Sequence, residues 1–324
     1  MSAIHFGIVG LRRLGKRHVT NLAWHVPGAR LVAARSPAAD EPDWASIEFP
    51  SVVLHADYDA FLQDASVDAV WLSLHAQQII AALRAGKHVF CEKSLSLDLA
   101  GCDAVIDEHA RHPHLHVMIG FVRRFDASYR DAFDRIEADA IDRPFMVRSQ
   151  TCDKNDPDGF FVRYAPASGG LFLDCSVHAI NLARWLLGNP RPRRVYASGT
   201  IAIHEDLREC NDIDNGVGRR RIRLRTARGV LRIAHDGAWA WYADGDYRHV
   251  GRVVSGKESA GQPRKNRGPA WHAQRVHTDV LRALRGCIPA RWHIGRLTLE
   301  DAREATRIGI AMREALQRGK AVEG

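Results

Sequence analysis

The sequence predicts an α/β protein of two domains, the first built on a doubly wound parallel sheet. Three observations carry this. The chain has 324 residues, 46% hydrophobic and 26% charged, which is room for two domains and a sizeable core. Its N-terminal third alternates short apolar runs with helical stretches, the rhythm of parallel strands joined by crossover helices. The first such unit carries a glycine-spaced turn between its strand and its helix.

The elements follow in order. Ile4 to Val9 is a short apolar strand, followed by Gly10-Leu11-Arg12-Arg13-Leu14-Gly15 and a helix through Ala23. Ala29 to Ala34 is the second strand. In such a unit the first turn is tight, and backbone N–H groups face a pyrophosphate with the positive helix end behind them. The pattern here is G-x-R-x-x-G, so Arg12 replaces the glycine that lets the backbone approach the phosphates. Its guanidinium can contact phosphate instead, or it can obstruct the site. Gly10, Arg12, Leu14 and Gly15 are the candidate dinucleotide contacts. The second strand ends in Arg35-Ser36-Pro37. An acid there would hold the ribose 2′-OH of NAD, whereas Arg35 and Ser36 suit the 2′-phosphate of NADP. The cofactor reading is therefore NAD or NADP, with a plain surface turn as the alternative.

Asp68 to Leu74 is a further strand that runs almost at once into a helix over Ala76 to Ala85, closed by Gly86-Lys87-His88. His88 to Cys91 is the next strand and delivers Glu92-Lys93 at its C-terminal end, the edge where doubly wound sheets bind ligands. A lysine there can hydrogen-bond a substrate hydroxyl or share its proton; the alternative is a solvated surface lysine. Asp98 to Arg111 is a helix and His116 to Gly120 a strand. His109, His112, His114 and His116 have no Cys or carboxylate to complete a ligand set, so they read as a polar loop and no metal site is predicted.

Gly169 to Gly188 reads as one helix, entered through two glycines and closed by a third, with Pro190 as a stop. Asp174 and His178 are four apart and share a helix face, which Asn181 extends. Leu173, Val177, Ile180 and Leu187 read as core. An Asp and a His stacked this way can form a proton-transfer pair, because imidazole titrates near neutrality and a carboxylate raises its basicity. A capping Asp beside a half-buried His is the alternative.

Composition narrows the classes. No apolar run approaches the roughly 20 residues of a membrane span. The opening MSAIHFGIVG has no basic n-region and runs directly into a strand, so no signal peptide is expected. The six cysteines lack any C-x-x-C and read as reduced thiols of a cytoplasmic protein. The net charge of +8 is local in origin: residues 216–296 hold 16 Arg and 2 Lys against 5 acids.

Five blocks then resemble the Gfo/Idh/MocA oxidoreductases, nearest their inositol 2-dehydrogenase branch. They are FGIVGLRRLGKRH (6–18), AALRAGKHVFCEKSLSLDL (81–99), MIGFVRRFDASY (118–129), TCDKNDPDGF (151–160) and the helix of 169–188; LTLEDAREATRIGIAMREAL (297–316) resembles the family's closing helix. The resemblance implies a Rossmann domain over 1–122. It implies an α/β domain over 123–324 with a large, mostly antiparallel open sheet that supports homodimers or homotetramers. The closing helix, 297–317, is expected near the domain junction.

By the same resemblance, Lys93 is the lysine of the family's E-K-P motif, and Asp174 and His178 are its D-x-x-x-H pair. His178 takes the substrate hydroxyl proton as hydride leaves the same carbon, Asp174 orients the imidazole, and Lys93 binds the developing alkoxide. Glu92, Arg123 and His75 fall beside the cofactor. Asn155 falls where the family places a substrate-contacting Asn, and Asn181 where many members have a polyol-binding Asp. The expected activity is NAD(P)-dependent oxidation of a cyclic polyol or sugar, myo-inositol first, with no nucleic-acid or membrane partner.

The chain departs from the pattern at Arg12 and at Ser94, which replaces the E-K-P proline that often follows a cis bond. Such a bond costs about 2.5–4 kcal/mol before a non-proline residue, so the substitution predicts a different seat for Lys93. Residues are also missing before His75, and the resemblance stops near Gly216 and resumes at Leu297. The Arg-, Gly- and Trp-rich stretch between, 216–296, reads as a pair of compensating frameshifts. The departures make a catalytically impaired binding protein or damaged gene product the alternative function.

Overall fold

The computed structural model describes residues 3–36, 41–72, 76–150, 159–210, 212–214, 280 and 297–323, and the backbone of 221–226, 229–234, 238–243 and 246–252. Two compact units emerge, residues 1–122 with 267–303 and residues 123–266 with 304–324.

In the first unit six short runs form one parallel sheet: β1 (Ile4–Val9), β2 (Ala29–Arg35), β3 (Val53–His55), β4 (Ala69–Leu72), β5 (His88–Glu92) and β6 (Val117–Gly120). Their order is β3-β2-β1-β4-β5-β6, and every neighbouring pair is parallel. The sheet grows outward from β1 in one direction and from β4 in the other. Ligands of such sheets bind at the carboxyl ends of the strands beside this reversal. All four residues of β4 are buried, the mark of a strand covered on both faces. Trp71 stacks on Phe90 of β5 with ring centroids 3.7 Å apart.

Five helices join the strands: α1 (Arg13–Trp24), α2 (Glu41–Glu48), α3 (Tyr58–Gln63), α4 (Ala76–Arg84) and α5 (Leu99–Arg111). Asp98 starts α5 by accepting the Gly101 N–H at 2.6 Å, a side-chain N-cap. Between α4 and α5, the nearly buried Glu108 accepts hydrogen bonds from Arg84 at 2.8 Å and Arg111 at 2.9 Å.

The second unit opens with α6 (Ala127–Glu137) and β7 (Met146–Gln150), and continues through α7 (Phe160–Ser168) and α8 (Val177–Leu186) to the short β8 (Arg194–Val195). β9 (Arg221–Thr226), β10 (Gly229–Ala234), β11 (Ala238–Ala243) and β12 (Asp246–Arg252) follow. The strands pair antiparallel in the order β12-β11-β10-β9-β7. The last helix is α9 (Leu299–Arg318), and β13 (Val322–Glu323) pairs with β8. One core joins Phe133, Leu182, Trp185 and Leu186; a second joins Phe172, Ala197, Ile213 and Ala315. Among the described residues no helix is long and apolar enough to cross a membrane, and no group of His, Cys, Asp and Glu is arranged to hold a metal ion.

The hydrogen bond from Arg84 holds the Glu108 carboxyl down at about 2, below its ordinary 4.5. A depressed carboxylate stabilises the fold above its unfolded pKa and loses that contribution as pH falls through the folded one. Glu108→Gln should therefore lower the melting temperature at pH 7, and the difference from wild type should shrink between about pH 4.5 and pH 2. Thermal melts across that range check it; a difference that persists at the acid end would sink it.

Candidate active site

The C-terminal edge of the first sheet holds the expected dinucleotide turn. Gly10 has φ +91°, a conformation open to glycine. A Cβ on Gly15 would stand 1.8 Å from the Gly10 carbonyl oxygen, so α1 reaches the end of β1 only because Gly15 has none. Arg12 is the extended N-cap of α1, no side chain caps that helix end, and its first turn has no acid. This close-packed turn with an uncapped helix behind it fits a dinucleotide pyrophosphate. The Arg12 side chain is 84% exposed, so it does not fill the cleft behind the turn, and Leu14 is exposed beside it.

One residue here escaped the sequence reading. Glu41, on the first turn of α2, is 6% exposed and turns its carboxylate onto this edge. Its Oε2 accepts the Leu11 N–H at 3.2 Å and the Ser36 hydroxyl, while Arg12 Nε lies 3.5 Å from Oε1. A carboxylate carried by α2 therefore stands beside the end of β2. Its one sequence signal was being the first helix-starting acid after β2. The backbone oxygen of Arg35 accepts the Gly10 N–H at 2.8 Å, and its guanidinium acts on Tyr58, partly offsetting the burial that pushes that hydroxyl's pKa up.

At the end of β5, Glu92 is 7% exposed, and its Oε1 lies 2.9 Å from Nε2 of the buried His18 on α1. Gly120 of β6 leaves space for that carboxylate, since a Cβ there would come within 3.0 Å of Glu92 Oε2. Lys93 follows, half-buried, and its bond to Ser94 is cis. His75 and Asn155 lie outside the described residues.

In the second unit the helix expected over 169–188 forms as one run over 171–186, but it is not α-helical throughout. Gly169 and Gly170 have φ +79° and +85°, and the chain then makes a π-helical turn over Phe172–Ser176 before α8 begins. Asp174 sits on that π turn and His178 on the first turn of α8, both half-buried. The four-residue spacing is therefore not one regular α-turn; π turns of this kind recur at functional sites. Leu173 is held from the other side by α9, where a Cβ on Gly309 would come within 2.7 Å of Leu173 Cδ2. Asp212 accepts the Leu171 N–H at 3.0 and 3.1 Å and fixes the entry to the turn.

Asn181 is 1% exposed, and its Oδ1 accepts the Arg124 Nε–H at 2.7 Å. Arg124 is itself buried and lies 5.4 Å from the Trp185 ring centre. Arg123, next to it, is half-buried on the 3-10 turn Val122–Phe125. The structure thus joins Asn181 to Arg124, a pairing that sequence spacing did not reveal.

Residues 4–121 match the model of an oxidoreductase family described by its NAD-binding Rossmann fold, and residues 129–240 match the GFO/IDH/MocA C-terminal domain. The chain belongs to the Gfo/Idh/MocA family. A scyllo-inositol 2-dehydrogenase (NAD(+)) of Bacillus subtilis is 34% identical over 218 residues, 66% of this chain. That match spans 62% of the relative's length. A myo-inositol 2-dehydrogenase of Thermotoga maritima is 30% identical over 243 residues, 74% of this chain and 70% of the relative. Among solved structures, scyllo-inositol dehydrogenase from Lactobacillus casei with bound NAD(H) and scyllo-inositol is similar over 99% of both chains, with a TM-score of 0.77 and 28% identity. The family match runs to residue 240, so the resemblance does not stop at Gly216; strands β9 and β10 lie inside it.

Gly15→Ala tests the turn. The obstructing atom is backbone, which cannot rotate away, and overpacking of this kind costs about 1–3 kcal/mol. The variant should melt lower and bind NADH at least about tenfold more weakly, tenfold being about 1.4 kcal/mol. Unchanged melting and unchanged NADH titration would show that α1 does not depend on this approach.

Proposed function

We propose that the chain oxidises a secondary alcohol of a cyclic polyol, an inositol first, using NAD. The observation that carries this reading is the Asp174–His178 pair on the π turn and α8, retained in a family whose similar members include inositol dehydrogenases. Bound NAD supplies the acceptor for the hydride that leaves the carbinol carbon. In this reading His178 takes the substrate hydroxyl proton. Asp174 orients the imidazole and stabilises its protonated form. Lys93 binds the developing alkoxide, where a positioned cation lowers the cost of the new charge. Gly10, Arg12, Leu14 and Gly15 form the pyrophosphate turn; His75, Glu92 and Arg123 belong to the cofactor side, and Asn155 to the substrate. Asn181 acts through Arg124, because its carbonyl is already committed there.

The wider reading rests on the family resemblance. The second unit's sheet is the large, mostly antiparallel sheet on which two or four copies assemble, and the protein works in the cytoplasm. The out-of-frame reading is kept for 241–296, beyond the family match, and is tested by translating the alternative frames of the encoding DNA.

The experiment is reduction of NAD by the purified chain with scyllo-inositol and myo-inositol in turn. His178→Asn should lower kcat by about 10²–10⁴-fold, the contribution of a positioned general base, with NADH binding unchanged. A folded chain that binds NADH and turns over neither polyol would overturn the substrate assignment and leave the impaired relative as the function.

A further inference from the structure

We infer that Glu41 recognises the adenosine ribose and makes the chain select NAD(H) against NADP(H). The inference rests on the dinucleotide reading of the first unit and deepens it. The sequence reading pointed the other way, because Arg35 and Ser36 occupy the end of β2.

Placement comes first. Leu11 follows the turn that closes β1, and Ser36 follows β2 directly. The Glu41 carboxylate hydrogen-bonds to both, so it stands at the carboxyl ends of these adjacent parallel strands. An acid at this edge is positioned for the ribose of a dinucleotide whose pyrophosphate lies on the α1 terminus. Glu41 reaches it from a helix that starts five residues beyond Ser36.

Chemistry comes next. A nearly buried carboxylate must have partners. Oε2 already takes two donors, the Leu11 amide and the Ser36 hydroxyl. Oε1 faces Arg12 Nε at 3.5 Å, an ion-pair distance too long for a hydrogen bond. An ionised carboxylate has about four acceptor sites, so this geometry leaves capacity for further donors. A ribose diol brings two O–H donors. A 2′-phosphate brings none, and would set a charge of about −1.5 to −2 beside the buried Glu41 carboxylate.

The nearby cations do not reverse this. Arg12 is paired with Glu41, so its charge is already countered at the point where a 2′-phosphate would enter. Arg35 stays a cation at the end of β2, with no carboxylate of its own among the described residues, and Glu41 stands between the two arginines. Ser36, a phosphate donor in the sequence reading, instead donates its hydroxyl to Glu41.

The test is fluorescence titration of the full chain with NADH and, separately, NADPH, which needs no turnover. Wild type should bind NADH at least about tenfold more tightly. Glu41→Gln keeps an acceptor and removes the charge, so the preference should narrow at least about threefold, chiefly through tighter NADPH binding. Ser36→Ala removes one partner and keeps the charge, so the preference should persist. Melting curves show which variants are folded; if Glu41→Gln is not, Glu41→Ser, which also removes the charge, is read in the same way. Equal affinities, a preference for NADPH, or an unchanged ratio in folded Glu41→Gln would overturn the role of Glu41 while leaving the dinucleotide site standing. Binding of neither cofactor by folded wild type would overturn both.

Discussion

The approach of α1 to the end of β1, permitted by the missing Cβ of Gly15, is the constraint on which the first unit depends. It places the uncapped helix terminus behind the turn and aims the Leu11 amide at Glu41. It acts again one turn along the helix. His18 lies three residues after Gly15, on the same face, and meets Glu92 at the end of β5. One helix position therefore sets both the pyrophosphate turn and the strand end from which Lys93 emerges. The buried rings of His18, Trp71 and Phe90 pack beside it, His18 tilted against Trp71 and Trp71 stacked on Phe90. A displaced α1 would thus disturb the cofactor side and the lysine together.

The second unit solves a related problem with another glycine. α9 packs against Leu173 because Gly309 has no side chain, and Leu173 immediately precedes Asp174. The helical path there is a π turn, entered through two glycines at positive φ and anchored by Asp212. The Asp–His spacing of the motif is therefore embedded in a distortion supported from both sides. Deeper still, Arg124, Asn181 and Trp185 form a polar island in an apolar cluster. A buried guanidinium is tolerable only with acceptors and an aromatic face near it.

Arg12 looked like the gravest departure from the dinucleotide pattern, and its setting changes its meaning. The residue is an exposed helix cap whose guanidinium faces a carboxylate. The glycine it replaces is less demanding than Gly15, where backbone meets backbone.

The sequence by itself determined what depends on neighbours in the chain. Apolar runs bounded by turn residues located β1, β2, β5 and β6, and the strand expected over Asp68 to Leu74 forms as Ala69–Leu72. The period of 297–317 located the closing helix, seen as Leu299–Arg318, because it is a local string of residues with fixed spacing. Only the tertiary structure decided the rest. Glu41 meets Leu11 across 30 residues, and Asn181 meets Arg124 across 57, distances over which periodicity carries no information. The π turn was illegible for the same reason: the string Phe172–Ser176 has ordinary helical spacing, and the extra residue in the turn is accommodated by packing against a helix more than a hundred residues later. Local sequence sets the period of an element; which charge, glycine or leucine it meets is set by the path of the whole backbone.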